Sequence, residues 1–183
     1  MARVVTVGAA VQDVFLSNSD AFAPVCINPD TCFEMLEIGS KADVNTIFFG
    51  TGGGATNAAV TFARQGFDVR FMGVIGRDPA GQSVLDELDQ ENVNTELLKY
   101  SDTHSTGYSV LLVAPNGERT ILTYRGASTH YRLEDINLDG VETWHVSRPV
   151  ASDYVAHGRL QRRNLSRHTR RESHCRNCAA LRR

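Results

Sequence analysis

"GTGGGATNAAVTFARQG", residues 50–66, is the stretch on which the fold turns. Three consecutive glycines, Gly52 to Gly54, lead into Asn57 and a segment with helical apolar spacing through Ala58, Ala59, Phe62 and Ala63. Gly66 stands where such a helix takes its C-terminal cap. A glycine-rich turn that opens a helix lets something approach the backbone closely. Amides at a helix N-terminus favour anions, so a phosphate is the first candidate. The spacing argues against it. No lysine follows the glycines as in a P-loop, and the usual place of a dinucleotide fingerprint, directly after the first strand, holds "VGAAVQD" (residues 7–13) instead. On the glycines alone two readings stay open, a ligand cradle and close helix–sheet packing.

Asn57 and Asp13 favour the cradle. The Asn57 amide both donates and accepts, and a buried amide beside backbone N–H groups suits a neutral ligand rich in hydroxyls. Asp13 lies just past the first strand, where ligands bind in open parallel sheets, although a turn or helix cap is its structural alternative.

Outward from this stretch, strands and helices alternate. "RVVTVGAA" (3–10) reads as a buried first strand, and the apolar runs 33–38 and 44–49 read as a hairpin around "GSKAD". "FDVRFMGVIG" (67–76) is the next strand. An amphipathic helix follows from Pro79, with Asp78 as N-cap and Val84, Leu85 and Leu88 on one face. A short strand is expected near 95–98. Then "TGYSVLLVA" and "ERTILTYRG" form two strands joined at Pro115-Asn116-Gly117, and "VETWHV" begins another. This order predicts an α/β fold, a largely parallel sheet flanked by helices with added hairpins.

Composition fits a soluble globular domain, with 42% hydrophobic and 22% charged residues. There is no apolar run of transmembrane length, and the N-terminus reads as a strand rather than a signal peptide. The four cysteines do not make a secreted disulfide pattern, which points to the cytoplasm. Charge is unevenly spread. Residues 144–183 hold ten arginines against Asp153 and Glu172, a net of +8, while the first 143 residues carry nine basic and nineteen acidic side chains, a net of −10.

"GGGATNAAVTFARQGFDVRFMGVIG" resembles the first signature of the ribokinase-like (PfkB) carbohydrate kinase family. The matching positions are Gly52-Gly53, Asn57, Ala59, Gly66 and Gly76. "VGAAVQD", "GRDPAG" and "THSTGYSVLLVAPNGERTILTYRGA" match further family landmarks in order, so the resemblance runs from residue 3 to about 146. It implies a ribokinase-like fold, of which this chain carries the N-terminal, acceptor-binding part. It also implies a β lid built from strands around 14–17, 33–38, 106–113 and 119–125, which closes over the acceptor and often makes a homodimer contact. By resemblance, Asp13 and Asn57 bind sugar hydroxyls with backbone help from Gly53 and Gly54. Arg125 is either a contact for a charged substrate or a surface arginine. The family transfers phosphate from ATP, with Mg²⁺, to an alcohol group of a sugar or nucleoside.

The family's catalytic elements, an Asn-x-x-Glu for magnesium and a Gly-Ala-Gly-Asp supplying anion hole and base, are not found in these 183 residues. The chain is therefore expected to be inactive alone, with no catalytic, nucleotide-binding or metal residue of its own. Two functional classes follow: a sugar kinase by descent, or a non-catalytic sugar-binding or dimerising fragment. The expected boundary separates a kinase-like part, 1–143, from a basic tail, 144–183. The tail lacks apolar periodicity and reads as disordered and as a frameshift product. Its competing readings are nucleic-acid binding through phosphate contacts and a zinc site at His168, His174, Cys175 and Cys178.

Overall fold

The computed structural model describes residues 3–130 and the backbone of residues 143–146. The first strand, β1 (Arg3–Val7), is a β-branched run buried from its second residue on. It pairs in parallel on one side with β6 (Asp68–Met72) and on the other with β11 (Thr143–Val146). β11 runs across the boundary expected at 143/144, so strand pairing continues three residues into the segment assigned to the tail. The rest of the 144–183 reading, including the candidate zinc ligands, lies outside the described residues.

Between β1 and β6 the chain leaves the parallel sheet to build a second layer. β2 (Val11–Ser17) sits between β5 (Thr46–Gly52), antiparallel to it, and β9 (Gly107–Val113), parallel to it. β10 (Arg119–Tyr124) closes the four-stranded sheet against β9. The expected lid strands at 14–17, 106–113 and 119–125 are all present here. The turn between β9 and β10 closes with Gly117 donating to the Ala114 carbonyl, and Gly117 takes a positive φ of 87° that only glycine adopts freely.

The hairpin expected from 33–38 and 44–49 does not form. Residues 34–45 contain no strand, and β5 pairs along all seven residues with β2 instead. Side chains lock this alternative. Asn18 donates to Thr46 Oγ1 at 2.7 Å, Asn45 to the Asn18 carbonyl at 2.8 Å, and Ser19 to the Asp43 carbonyl at 2.7 Å. The segment around Phe33 pairs elsewhere: β3 (Val25–Asn28) and β4 (Thr31–Phe33) make a small separate hairpin. Cys26 and Cys32 face each other across it and are joined by a disulfide, a pairing that the sequence reading, which found no secreted disulfide pattern, did not name. Direct cross-strand opposition brings the two Cα atoms within 4.0 Å.

Returning from the lid, α1 (Gly54–Arg64) crosses back and packs on β1 and β6. Its buried face is small, Ala55 and Ala59, which lets the helix lie close to the sheet. The helix is capped at Gln65, and the chain turns at Gly66, whose φ of 84° makes it the expected glycine at the helix end. The run 67–76 is two strands rather than one. It breaks at Gly73, where a Cβ would stand 2.6 Å from the Gly8 carbonyl, and β7 (Val74–Gly76) pairs with β8 (Lys99–Ser101). The strand expected near 95–98 is thus β8, displaced by a turn closed from Leu98 N–H to the Thr95 carbonyl. Between β7 and β8 runs α2 (Pro79–Gln90). The parallel pairs β1–β6 and β7–β8 thus each have a helix in the crossover between their strands.

Phe71, Ile75, Val84, Leu88 and Val93 join Ala55 and Ala59 in the core. Each large side chain there contributes about 1.5–3 kcal/mol through burial. Among the described residues, no helix is long and apolar enough to cross a membrane.

Candidate functional site

The first strand ends at Val7, and Gly8 turns the chain so that Asp13 falls inside β2, at the base of the second sheet, rather than in the turn after β1. Strand register fixes what surrounds it. Gly50 of β5 lies directly opposite on one side and Ser109 of β9 on the other. The Asp13 carboxyl leans over Gly52, where any Cβ would overlap it. Glycine at 52 is thus required by the carboxylate itself, and alternate glycines in a strand mark this kind of close approach.

Gly53, the residue before α1, has φ 110° and ψ 138°, a conformation that side-chain-bearing residues avoid. A Cβ there would also collide with the Ala9 carbonyl. Gly53 therefore turns β5 into α1 while touching the β1–β2 connection. No side chain caps this helix start. Thr56 points back instead, its hydroxyl donating to the carbonyls of Gly52 at 2.7 Å and Gly53 at 2.9 Å. Gly54 is the first helical residue and is exposed. Asn57 is one turn on from Gly53 and is exposed too, which corrects the expectation of a buried amide. No other described residue hydrogen-bonds its side chain, so the amide is free to meet a ligand from solvent.

Beneath this mouth the scaffold is tied down from several directions. Gln12, nearly fully buried, donates to the Gly50 carbonyl at 2.9 Å. Glu87 of α2 accepts from the Thr51 backbone at 2.7 Å. Ser128 donates to the Ala10 carbonyl at 2.9 Å, and Ala127 N–H to the Ser105 carbonyl at 2.8 Å, so the "RGAS" segment (125–128) is anchored at the same place. Arg125 itself is exposed.

Electrostatics bear on whether this mouth suits a phosphate or a neutral ligand. Burial pushes the half-buried Asp13 carboxyl up from its usual value of 3.8, and a hydrogen bond from the Ser109 hydroxyl pulls it partly back. An anion arriving at the start of α1 would meet this carboxylate at Gly52, one residue before the helix cap. A polyol would find an acceptor for its hydroxyl protons instead. The described residues thus do not fit the phosphates of a nucleotide at this mouth. Among them there is also no group of three or more His, Cys, Asp or Glu side chains placed to hold a metal ion.

Of the residues expected from sequence, the structure brings Asp13 and Gly53 to one mouth and sets Gly54 and Asn57 on the first turns of α1. Sequence reasoning missed Gly50, Gly52 as the neighbour of Asp13, and Ser109. The alternate glycines 50 and 52 were the available signal for the first two. Ser109, a lone hydroxyl in the apolar run "YSVLLV", was the signal for the third.

Comparison with known proteins agrees with this architecture. The chain is 33% identical over 89 residues to a 5-dehydro-2-deoxygluconokinase of Clostridium botulinum, covering 48% of this chain and 26% of that protein. It is 33% identical over 79 residues to a ribokinase of Haemophilus influenzae, covering 43% and 26%. A ribokinase of Cryptococcus neoformans, solved in complex with ADP, superposes with a TM-score of 0.60 at 25% identity, covering 86% of this chain and 44% of that one. The matches thus span about a quarter of the length of these curated relatives. The profile of the pfkB family carbohydrate kinases matches residues 3–161, most of the sequence, and the chain belongs to that family.

Proposed function

We propose that this chain is the acceptor-binding part of an ATP-dependent sugar kinase, and that its 183 residues bind a sugar without phosphorylating it. The observation that carries the reading is the Asp13 carboxylate held against Gly52 at the uncapped start of α1. Asp13 accepts hydroxyl protons of the sugar, Asn57 supplies a second polar contact, and the backbone at Gly53 and Gly54 completes the cradle. Phe48, on the same sheet face as Asp13, leans its ring to 3.1 Å from where a Cβ of Gly50 would lie and packs on Phe15 with centroids 5.8 Å apart. An aromatic surface beside a carboxylate suits a molecule with a C–H face and a hydroxyl edge.

Transfer from ATP needs charge stabilisation at the phosphoryl group and a base at the acceptor hydroxyl. The sequence offers neither a Gly-Ala-Gly-Asp nor an Asn-x-x-Glu, so the nucleotide and magnesium of the family have no residues to hold them here. The lid strands carry exposed apolar side chains on both faces, Ile47, Phe49, Leu122 and Tyr124 on one and Phe48 and Ile121 on the other. This supports a homodimer formed through the lid.

The test is calorimetry of the purified chain with D-ribose and D-fructose, in parallel with a phosphate-transfer assay from ATP. Binding without turnover, lost in Asn57→Ala, is the expected result. Turnover by the wild-type chain overturns the inactive-fragment reading, and absence of binding to any sugar overturns the acceptor site.

A further inference from the structure

We propose that Ser109 is the positioning residue of the acceptor site: it donates its hydroxyl proton to the Asp13 carboxylate and thereby sets which carboxylate oxygen is presented to the acceptor. The inference rests on the sugar-binding reading above for its functional half, and on strand geometry for its structural half.

The geometry is unusually restrictive. On the face of the lid sheet that carries Asp13, its neighbours along β2 are Val11 and Phe15. Across on β5 stand Gly50, with Gly52 and Phe48 as the diagonal positions. Across on β9 stand Ser109, with Gly107 and Leu111 as the diagonals. Three of these eight are glycines and four are apolar, so Ser109 alone brings a hydrogen-bonding side chain. None of the eight is charged or titratable. Adjacent cross-strand positions place side chains within reach of one another, and Ser109 stands directly across from Asp13 on β9, where its hydroxyl favours the ionised carboxyl.

Burial makes the contact consequential. Ser109 is only 5% exposed, so water competes poorly for its hydroxyl. On the β5 side the carboxylate leans over Gly52, and the glycines there offer it no side-chain partner. A hydrogen bond from Ser109 opposes rotation of the carboxylate and favours the ionised form, which is the form that accepts hydroxyl protons. One carboxylate oxygen is then committed to the protein, and the other faces the ligand.

The experiment compares the full chain with Ser109→Ala and Ser109→Thr, after melts have shown that each folds. Asp13 titration is followed by carboxyl ¹³C NMR, with Asp13→Asn assigning the resonance. Affinity for D-ribose and D-fructose is measured across the same pH range. In Ser109→Ala the Asp13 titration is expected to move to higher pH, and sugar affinity to fall by about tenfold, as for loss of a hydrogen bond to a charged group. The loss should be larger at the acid end of the range. Ser109→Thr, which keeps the hydroxyl, should restore both. An unmoved titration in Ser109→Ala overturns the proposal, as does a moved titration with unchanged affinity. If the titration moves but the wild-type chain binds no sugar, the contact stands and the sugar-binding reading fails.

Discussion

Asp13 is a carboxylate that the fold tolerates at a cost. Burial opposes its ionisation more than Ser109 favours it, so its folded pKa lies above the unfolded value. The sign of the linkage follows. The protonated form is the one the folded chain prefers, so its contribution is complete below the unfolded carboxylate value and is lost as pH rises through the folded one. Asp13→Asn is therefore expected to melt above wild type at neutral pH, with the difference closing as pH falls toward the carboxylate range. The same variant should lose sugar binding by about a hundredfold, as misplaced or missing contacts at a positioned site do. Thermal melts across pH together with calorimetry check both halves. A variant that binds normally would remove Asp13 from the site. Gain of stability with loss of binding is the trade expected of a functional group held in a strained or desolvated place.

Among the elements, the start of α2 shows why "GRDPAG" reads as it does. Asp78 caps the helix by accepting from Gly81 N–H at 2.8 Å, with Pro79 in the first turn. The same carboxylate accepts from Thr106 N–H and from the Thr106 hydroxyl, both at 2.7 Å, which ties α2 to the entry of β9. Thr106 in turn accepts from Gly76 N–H at 2.9 Å. The two glycines make this knot possible. A Cβ at Gly76 would stand 2.6 Å from Thr106 N, and one at Gly81 would stand 2.8 Å from the Thr106 hydroxyl. Partial burial of Asp78 raises its carboxyl, but the hydrogen bonds from Thr106 and Gly81 outweigh it and leave the pKa below the usual value. Its stabilisation is therefore present above the unfolded carboxylate pKa and is lost as pH falls through the folded one. Asp78→Ala should cost about 1–2 kcal/mol for the cap alone, and the orphaned Thr106 amide adds to this. Denaturant melts at neutral pH should show the full deficit, and at acid pH the variant and wild type should converge. An equal deficit at both ends would mean that charge is not involved.

For the molecule as a whole, the lid is the exposed liability. Ile47, Phe48, Phe49, Ile121, Leu122 and Tyr124 are each about half exposed or more on a four-stranded sheet, as are Ile27, Met35 and Ile38 around the small hairpin. Apolar surface of this extent on the two outer strands of a sheet marks an interface or an aggregation site. Sedimentation of the wild-type chain should therefore give a dimer or larger species. Phe49→Ser with Leu122→Ser, both on the face away from Asp13, should lower the mass toward the monomer and leave sugar binding in place. A wild-type monomer with a sharp cooperative melt would count against association through the lid. The ion pairs add little to this balance. Arg3–Asp68, Arg64–Glu91 and Arg77–Asp102 all pair at the surface, where solvent screens such contacts.

The sequence by itself determined the features that rest on local chemistry. Helix α1 with its terminal Gly66, the Asp78-Pro79 start of α2, the Pro115-Asn116-Gly117 hairpin and the family motifs all depend on residues within a few positions of one another. Their periodicity and turn residues suffice to place them. Only the tertiary structure decided which strands pair. The run 44–49 has the same pattern whether its partner is 33–38 or β2, and the choice was made by Asn18, Ser19 and Asn45 across more than twenty residues. The break at Gly73 was likewise invisible, because its cause is the Gly8 carbonyl in the turn after β1. The site divides in the same way. Asp13 and Asn57 are legible as polar residues at expected places. The overlap that requires Gly52, and the Ser109 hydroxyl beside the carboxylate, exist only after β2, β5 and β9 are laid in register, since no spacing along the chain brings residues 13, 52 and 109 together.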